Sequence, residues 1–191
     1  VGTWPTGPVY RLDGSQQWSF QGRLGEEKEV MGISVYNGQL FAGTLPVADV
    51  YRYQGGTRWT TTGRLDNTPD VKYRRAWSMA VFDGKLFCGV LPSGQVLSLE
   101  VGKSVTHDRA LPSGWQHLTA VRRESQLQLF INGKMVSTSS EFDKSRFKKP
   151  SGTALRIGFG QHDYFNGHMK DVRIYDRALD VREIRRIAKT K

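Results

Sequence analysis

A sixteen-residue sentence occurs in this chain in two versions, and no fold can ignore it. Met31-Gly-Ile-Ser-Val-Tyr-Asn-Gly-Gln-Leu-Phe-Ala-Gly-Thr-Leu-Pro46 returns 46 residues later as Trp77-Ser-Met-Ala-Val-Phe-Asp-Gly-Lys-Leu-Phe-Cys-Gly-Val-Leu-Pro92. Repetition on this scale means one small structural unit copied in tandem, each copy burying its apolar face only against its neighbours. In each version an apolar run meets Asn37-Gly38 or Asp83-Gly84, dipeptides that accept the positive φ angles of a two-residue turn, and a second apolar run follows. Each version is therefore a β-hairpin. Gly-x-Leu-Pro then ends the second strand, because proline cannot donate to a ladder and sits at strand ends or edges.

The repeat extends beyond the hairpin. Val9-Tyr-Arg-Leu-Asp-Gly-Ser-Gln-Gln-Trp18 is echoed by Val50-Tyr-Arg-Tyr-Gln-Gly-Gly-Thr-Arg-Trp59, and Gly22-Arg-Leu24 by Gly63-Arg-Leu65. Four short strands in 41 to 46 residues make the unit of a β-propeller blade. These segments resemble the blades of kelch-type and sialidase-type propellers, with about two and a fraction copies between residues 1 and 100. So few blades leave open edges, which call for cover by the second half, another chain or a longer parent protein.

After Glu100 the pattern changes. Gly114-Trp-Gln-His-Leu-Thr-Ala-Val-Arg122 predicts a strand, and Gln126-Leu-Gln-Leu-Phe-Ile131 a second, with Leu127, Leu129 and Ile131 on one face. Asn132-Gly133 predicts a tight turn into Lys134-Met-Val-Ser-Thr138. Ala154–Phe159 and Gly167–Tyr175 alternate as strands. Ala178-Leu-Asp-Val-Arg-Glu-Ile reads as the start of a helix near Asp180–Ala188, with Asp180 as its cap and Glu183 answering.

In order and spacing these landmarks resemble the C-terminal half of a laminin-G-like domain of the concanavalin A-like lectin superfamily. The resemblance implies a jelly-roll β-sandwich of two antiparallel sheets, extracellular and noncatalytic. The expected fold is thus all-β: propeller-like repeats over residues 1–100, a lectin-like sandwich half over 101–191, and one short C-terminal helix.

Charge divides the chain unevenly. Residues 1–100 hold 10 Lys and Arg against 9 Asp and Glu, and residues 101–191 hold 18 against 9, so nearly all of the +10 belongs to the second half. It gathers at Arg122 and Arg123, at Lys144, Arg146, Lys148 and Lys149, and in a tail from Arg182 to Lys191. Such a surface draws polyanions by long-range, salt-screened attraction. In a lectin-like module the fitting polyanion is an acidic polysaccharide. A solvated loop and a helix C-terminus favoured by its dipole account for the same charges without a ligand. Nucleic acid is not expected, since no recognition helix, RNP-like strand or zinc pattern accompanies them.

Of the aromatic residues, Trp18 and Trp59 recur at repeat positions, Trp77 stands where the other copy has Met31, and Trp115 opens a strand, which predicts packing rather than sugar stacking. Tyr164 and Phe165, in the loop before Asn166-Gly167, are better placed to touch a ligand. Cys88, the one cysteine, replaces Ala42 of the other copy and reads as a buried core thiol.

Glycoside hydrolysis needs two carboxylates across a sugar bond or an activated tyrosine. The aspartates Asp13, Asp83, Asp108 and Asp176 fall in turns, which their own hydrogen bonding explains. His107-Asp108 and His162-Asp163 are adjacent pairs, and adjacent strand residues face opposite ways. His117 and His168 read as structural histidines. Asp163 and Asn166 are the nearest loop oxygens for a rim calcium, and no metal site, catalytic group or cofactor is assigned. No run of about 18 apolar residues could span a membrane. The first residue is not methionine, which fits a processed or excised chain.

The sequence therefore points to a noncatalytic carbohydrate-binding or adhesion module of a secreted or surface protein, favouring acidic glycans. Its contacts would come from Lys144, Arg146, Lys148, Lys149, Arg122, Arg123, Tyr164 and Phe165. An accessory piece of a glycan-processing enzyme, or a structural β-protein without a small ligand, are the alternatives.

Overall fold

A computed structural model describes residues 1–143, 145, 157–158 and 165–189. It contains twelve strands and one helix among them, all strand pairing being antiparallel apart from an isolated bridge between Val47 and Arg74. The chain divides into two compact units. Of the described residues, Val1–Val81 and Lys85–Leu99 belong to the first; Phe82–Gly84, 100–143, 145, 157–158 and 165–189 belong to the second.

The first unit is a series of small meanders. Strands β1 (Pro8–Asp13) and β2 (Gln17–Arg23) form a two-stranded sheet. Strands β3 (Glu29–Tyr36), β4 (Gln39–Leu45), β5 (Asp49–Gly55) and β6 (Arg58–Arg64) follow in sequential order as a four-stranded sheet, and β7 (Arg75–Phe82), β8 (Lys85–Leu91) and β9 (Val96–Leu99) make a third. The hairpin turns form as their dipeptides dictate. Asn37 and Gly38 have φ of 49° and 72°, and Asp83 and Gly84 have 45° and 69°, the paired positive values of a type I′ turn.

The structure also reveals a third copy of the Gly-x-Leu-Pro turn. Gly2-Thr-Trp-Pro5 stands where Gly43-Thr-Leu-Pro46 and Gly89-Val-Leu-Pro92 stand, and each glycine bridges the valine seven residues on: Gly2 to Val9, Gly43 to Val50, Gly89 to Val96. These glycines let one sheet lie on the next. A Cβ at Gly2 would strike Val30, and one at Gly43 would strike Ala76, the residue 46 positions after Val30. Between the first two sheets Val9, Leu24, Val30, Ala42 and Tyr51 form a buried cluster, closed by Trp59. Trp59 donates its indole N–H to the Gln21 carbonyl at 2.7 Å, and Tyr53 its hydroxyl to Gln21 Oε1 at 2.6 Å.

In the second unit β10 (Leu118–Arg123), β11 (Gln126–Ile131) and β12 (Lys134–Thr138) form a sheet, and helix α1 (Val181–Lys189) packs on it through Val121, Phe130, Leu179 and Ile184. Asn132 and Gly133 turn β11 into β12 with φ of 50° and 76°. Gly133 is needed twice over: a Cβ there would lie 3.1 Å from Arg185 Cα. The helix is capped reciprocally, Asp180 Oδ1 accepting from Glu183 N and Glu183 Oε2 from Asp180 N, both at 2.8 Å.

Four expectations are corrected. The strand predicted from Gly114 begins only at Leu118, because the backbone of His117 is engaged by Asn132: its N–H donates to Asn132 Oδ1 at 2.9 Å and its carbonyl accepts from Asn132 N at 2.8 Å. Gly167–Tyr175 forms no strand among the described residues, Asp171 standing at a φ of 56° that breaks extended backbone. Consequently neither His117 nor His168 lies on a strand. Trp18, Trp77 and Trp115 are 55%, 50% and 62% exposed rather than packed, whereas Trp59 is covered because its sheet has a neighbour. Most of Ala154–Phe159 lies outside the described residues.

Candidate functional site

Alternation along β10 sends its two arginines to opposite faces. Arg123 shares a face with Val121 and donates from Nη2 to the Leu179 carbonyl at 2.7 Å, tying the sheet to the chain entering α1. Arg122, exposed, lies over the Phe142 ring with its guanidinium 5.6 Å from the centroid. A second pair of the same kind joins Lys170 Nζ to the Trp115 ring at 4.8 Å. Cation and aromatic attract through the ring's quadrupole.

Phe165 is half-exposed, its N–H donating to the Gly158 carbonyl at 2.5 Å and its ring folded over Gly167. Lys144, Arg146, Lys148, Lys149 and Tyr164 lie outside the described residues. Along α1, Arg182, Arg185, Arg186 and Lys189 are exposed, with Arg186 and Lys189 in the last turn, where the helix dipole favours them. Arg177 grips Glu183 through both guanidinium arms at 2.9 and 2.6 Å. That bond, and the Asp180 N–H, pull the Glu183 carboxyl down to about 2.

Several acidic residues among those described have structural partners. Arg11 Nε reaches Asp13 at 2.6 Å, and Asp108 accepts from the Asp83 N–H at 3.0 Å beside the β7–β8 turn. Sequence reasoning missed the two most buried acids, Glu27 and Asp66, each 2% exposed. Asp66 accepts from the Thr68 hydroxyl and N–H at 2.6 and 2.8 Å and from Ser93 N at 3.0 Å, which holds it far below the ordinary carboxylate range. Burial pushes Glu27 upward, although the Val47 N–H opposes this from 3.4 Å. Glu27 sits within Gly25-Glu-Glu-Lys-Glu29, a run that reads as solvated charge. Asp66 carried a local signal, the Asp-x-Thr spacing of a side-chain turn.

Among the described residues no three His, Cys, Asp or Glu side chains gather as a metal cage, and Asp163 lies outside them. Cys88 is buried as expected, and burial pushes its thiol up to about 11. No helix among the described residues is long and apolar enough to cross a membrane.

No curated protein matches the chain. A solved structure of an S-layer domain-containing protein from Clostridium thermocellum, residues 221–444, aligns with 96% of this chain and 100% of its own, at 20% identity and a TM-score of 0.35. The Laminin_G_3 family model matches residues 75–185, more than half of the chain, and so takes in the second hairpin version as well as the sheet and helix of the second unit. By that match, together with its antiparallel all-β structure and single short helix, the chain belongs to the Laminin_G_3 family of the concanavalin A-like lectin/glucanases superfamily.

Proposed function

We propose that this protein is a noncatalytic carbohydrate-binding or adhesion module, displayed at a cell surface or secreted, that favours acidic glycans. The observation that carries the reading is the family match combined with a second half that holds 18 cations against 9 acids. The ligand would lie along Lys144, Arg146, Lys148 and Lys149, with Arg122, Tyr164 and Phe165 as further contacts, whereas Arg123, expected among them, is turned to the opposite face and engaged by the Leu179 carbonyl. Exposed ion pairs each contribute at most about 1 kcal/mol, so affinity is a sum over several contacts and falls steeply with salt. Residues 1–100 would form propeller-like repeats beside it, a reading supported by the sequential four-strand order of β3 to β6.

Retention on a heparin column tests the ligand. Replacing Lys144, Arg146, Lys148 and Lys149 together with glutamine is expected to move elution to markedly lower salt while leaving the melting temperature within about 2 °C, as for surface substitutions. Unchanged elution would return the cluster to a solvated loop. The superfamily's description includes glucanases, so a parallel assay matters. Turnover of a β-glucan or fluorogenic glycoside that survives repurification and disappears on mutation of one carboxylate would overturn the noncatalytic reading.

A further inference from the structure

Helix α1 is nine residues long and four of them are cations at a regular spacing: Arg182, Arg185, Arg186 and Lys189 stand at i, i+3, i+4 and i+7. At 3.6 residues per turn this spacing gathers them within an arc of about 100° and draws them out over about 10 Å along the axis. The opposite side of the helix is fixed by packing. Ile184 is buried with Val121, Phe130 and Leu179, and Ile187 packs against the same cluster. Gly133, in the β11–β12 turn, lies against Arg185 and Ala188, and the Asp180 cap holds the first turn. The four cations therefore form one stripe whose direction is set by the sheet beneath the helix.

The helix dipole accounts for only part of this stripe. It favours Arg186 and Lys189 in the last turn and disfavours Arg182 in the first. Nor is the stripe neutralised from within the helix. Glu183, the one acid of α1, is gripped by both arms of Arg177, and Arg186 adds the weakest of the attractions it feels. The residues outside the description hold six cations, Lys144, Arg146, Lys148, Lys149, Arg156 and Lys191, against the single acid Asp163, so their sequence supplies no counter-charge. Residues 1–100, with 10 cations to 9 acids, have no negative charge to spare.

We propose that the α1 stripe is a contact line for a linear acidic polysaccharide, whose sulfate or carboxylate groups seat in turn on Arg182, Arg185, Arg186 and Lys189. This rests on the acidic-glycan reading of the second half and adds to it a second line of contact, separate in sequence from Lys144–Lys149 and built on a rigid element. Of the large apolar side chains of α1 only Val181 is exposed, at 41%, which is too little to hold the helix in a lipid surface. What the stripe offers is charge and the forked donors of three guanidinium groups, which match paired oxyanion oxygens. A chain with anionic groups repeated along its length engages all four cations at once.

Titration of the whole chain with a heparin oligosaccharide tests this. The unmodified protein is expected to bind, with an affinity that falls as salt rises. Arg182→Gln, Arg185→Gln, Arg186→Gln and Lys189→Gln each keep a helix-forming side chain. Each should weaken binding by roughly two- to fivefold, and the four together by on the order of tenfold or more, with the circular dichroism spectrum unchanged. A control with Lys28, Arg58, Lys72 and Lys85 replaced by glutamine has the same net charge as the fourfold variant and should bind nearly as the unmodified chain does. Arg182→Gln separates contact from helix stability: it removes a cation that the dipole disfavours, so binding should weaken while the melting temperature holds or rises. If the fourfold variant loses the native spectrum, Arg182→Gln alone carries the test. Equal binding by the fourfold variant and the control overturns the proposal. So does a loss confined to glutamine at Lys144, Arg146, Lys148 and Lys149, which leaves the acidic-glycan reading standing; an unmodified chain that does not bind at all overturns both. Binding to phosphatidylserine vesicles that the oligosaccharide does not displace would assign the stripe to a membrane surface and overturn the proposal as well.

Discussion

Glu27 is ionisable and almost wholly buried, and its carboxylate has one backbone donor within 3.5 Å, the Val47 N–H, with Asp49 adding repulsion. Burial favours the neutral acid, so the folded state holds its proton above the ordinary value of 4.5. The contribution of Glu27 to stability is therefore fullest below pH 4.5 and is lost as pH rises through the window between 4.5 and the raised value. Glu27→Gln keeps an acceptor for Val47 and removes the charge. It is expected to raise stability at pH 7 by on the order of 1 kcal/mol, or about 2–4 °C in melting temperature, and to lose that advantage at pH 4. Thermal melts of both proteins at the two pH values check it. A single residue's burial is not written locally: Glu27 stands in a run of charges in sequence, and nothing in that run shows that folding leaves it only 2% exposed beside Val47, Thr44 and Asp49. The tryptophans fail in the same way. Trp18 and Trp59 hold equivalent sequence positions and differ only in whether a sheet lies over them.

Elements were legible where two adjacent residues contain the whole instruction. Asn37-Gly38, Asp83-Gly84 and Asn132-Gly133 each turn a hairpin because both residues accept positive φ, and no distant contact is required. The helix start was legible for the same reason, the cap and its answering glutamate being three residues apart. Asp180→Ala removes the acceptor for the Glu183 N–H and should weaken the first turn of α1 by about 1 kcal/mol. Read by hydrogen exchange, that is roughly a fivefold faster amide at Glu183, with the amides of β4 unchanged. Glu183 sits down at about 2, so the cap it completes is fully present above its ordinary 4.5 and is lost only as pH falls through about 2. Gly167–Tyr175 shows the opposite case. Its alternation was a fair signal for a strand, but alternation supplies side-chain pattern and not a ladder partner, and Asp171 interrupts the backbone. At the candidate site, the sequence displays the charge of Arg122 but not its contact with Phe142, twenty residues away.

At the scale of the whole molecule, tandem copying was the plainest message in the sequence, and the family match at residues 75–185 supports the lectin-like reading of the landmarks that follow it. The first turn, Gly2-Thr-Trp-Pro5, escaped notice because four residues with Trp in place of Leu carry too little pattern; only its bridge to Val9 identifies it. The glycines of the first two bridges let one sheet close on the next, and neither sheet can slide or tilt without a clash, at Val30 for Gly2 and at Ala76 for Gly43. The consequence is a direction of melting. The middle sheet, β3 to β6, is clasped from both sides and must wait for a neighbour to leave before it can open. Native-state hydrogen exchange should accordingly show the amides of β4 and β5 opening last and those of β2 and β9 first, so that this unit unravels inward from its ends like a row of shingles lifted from the eaves.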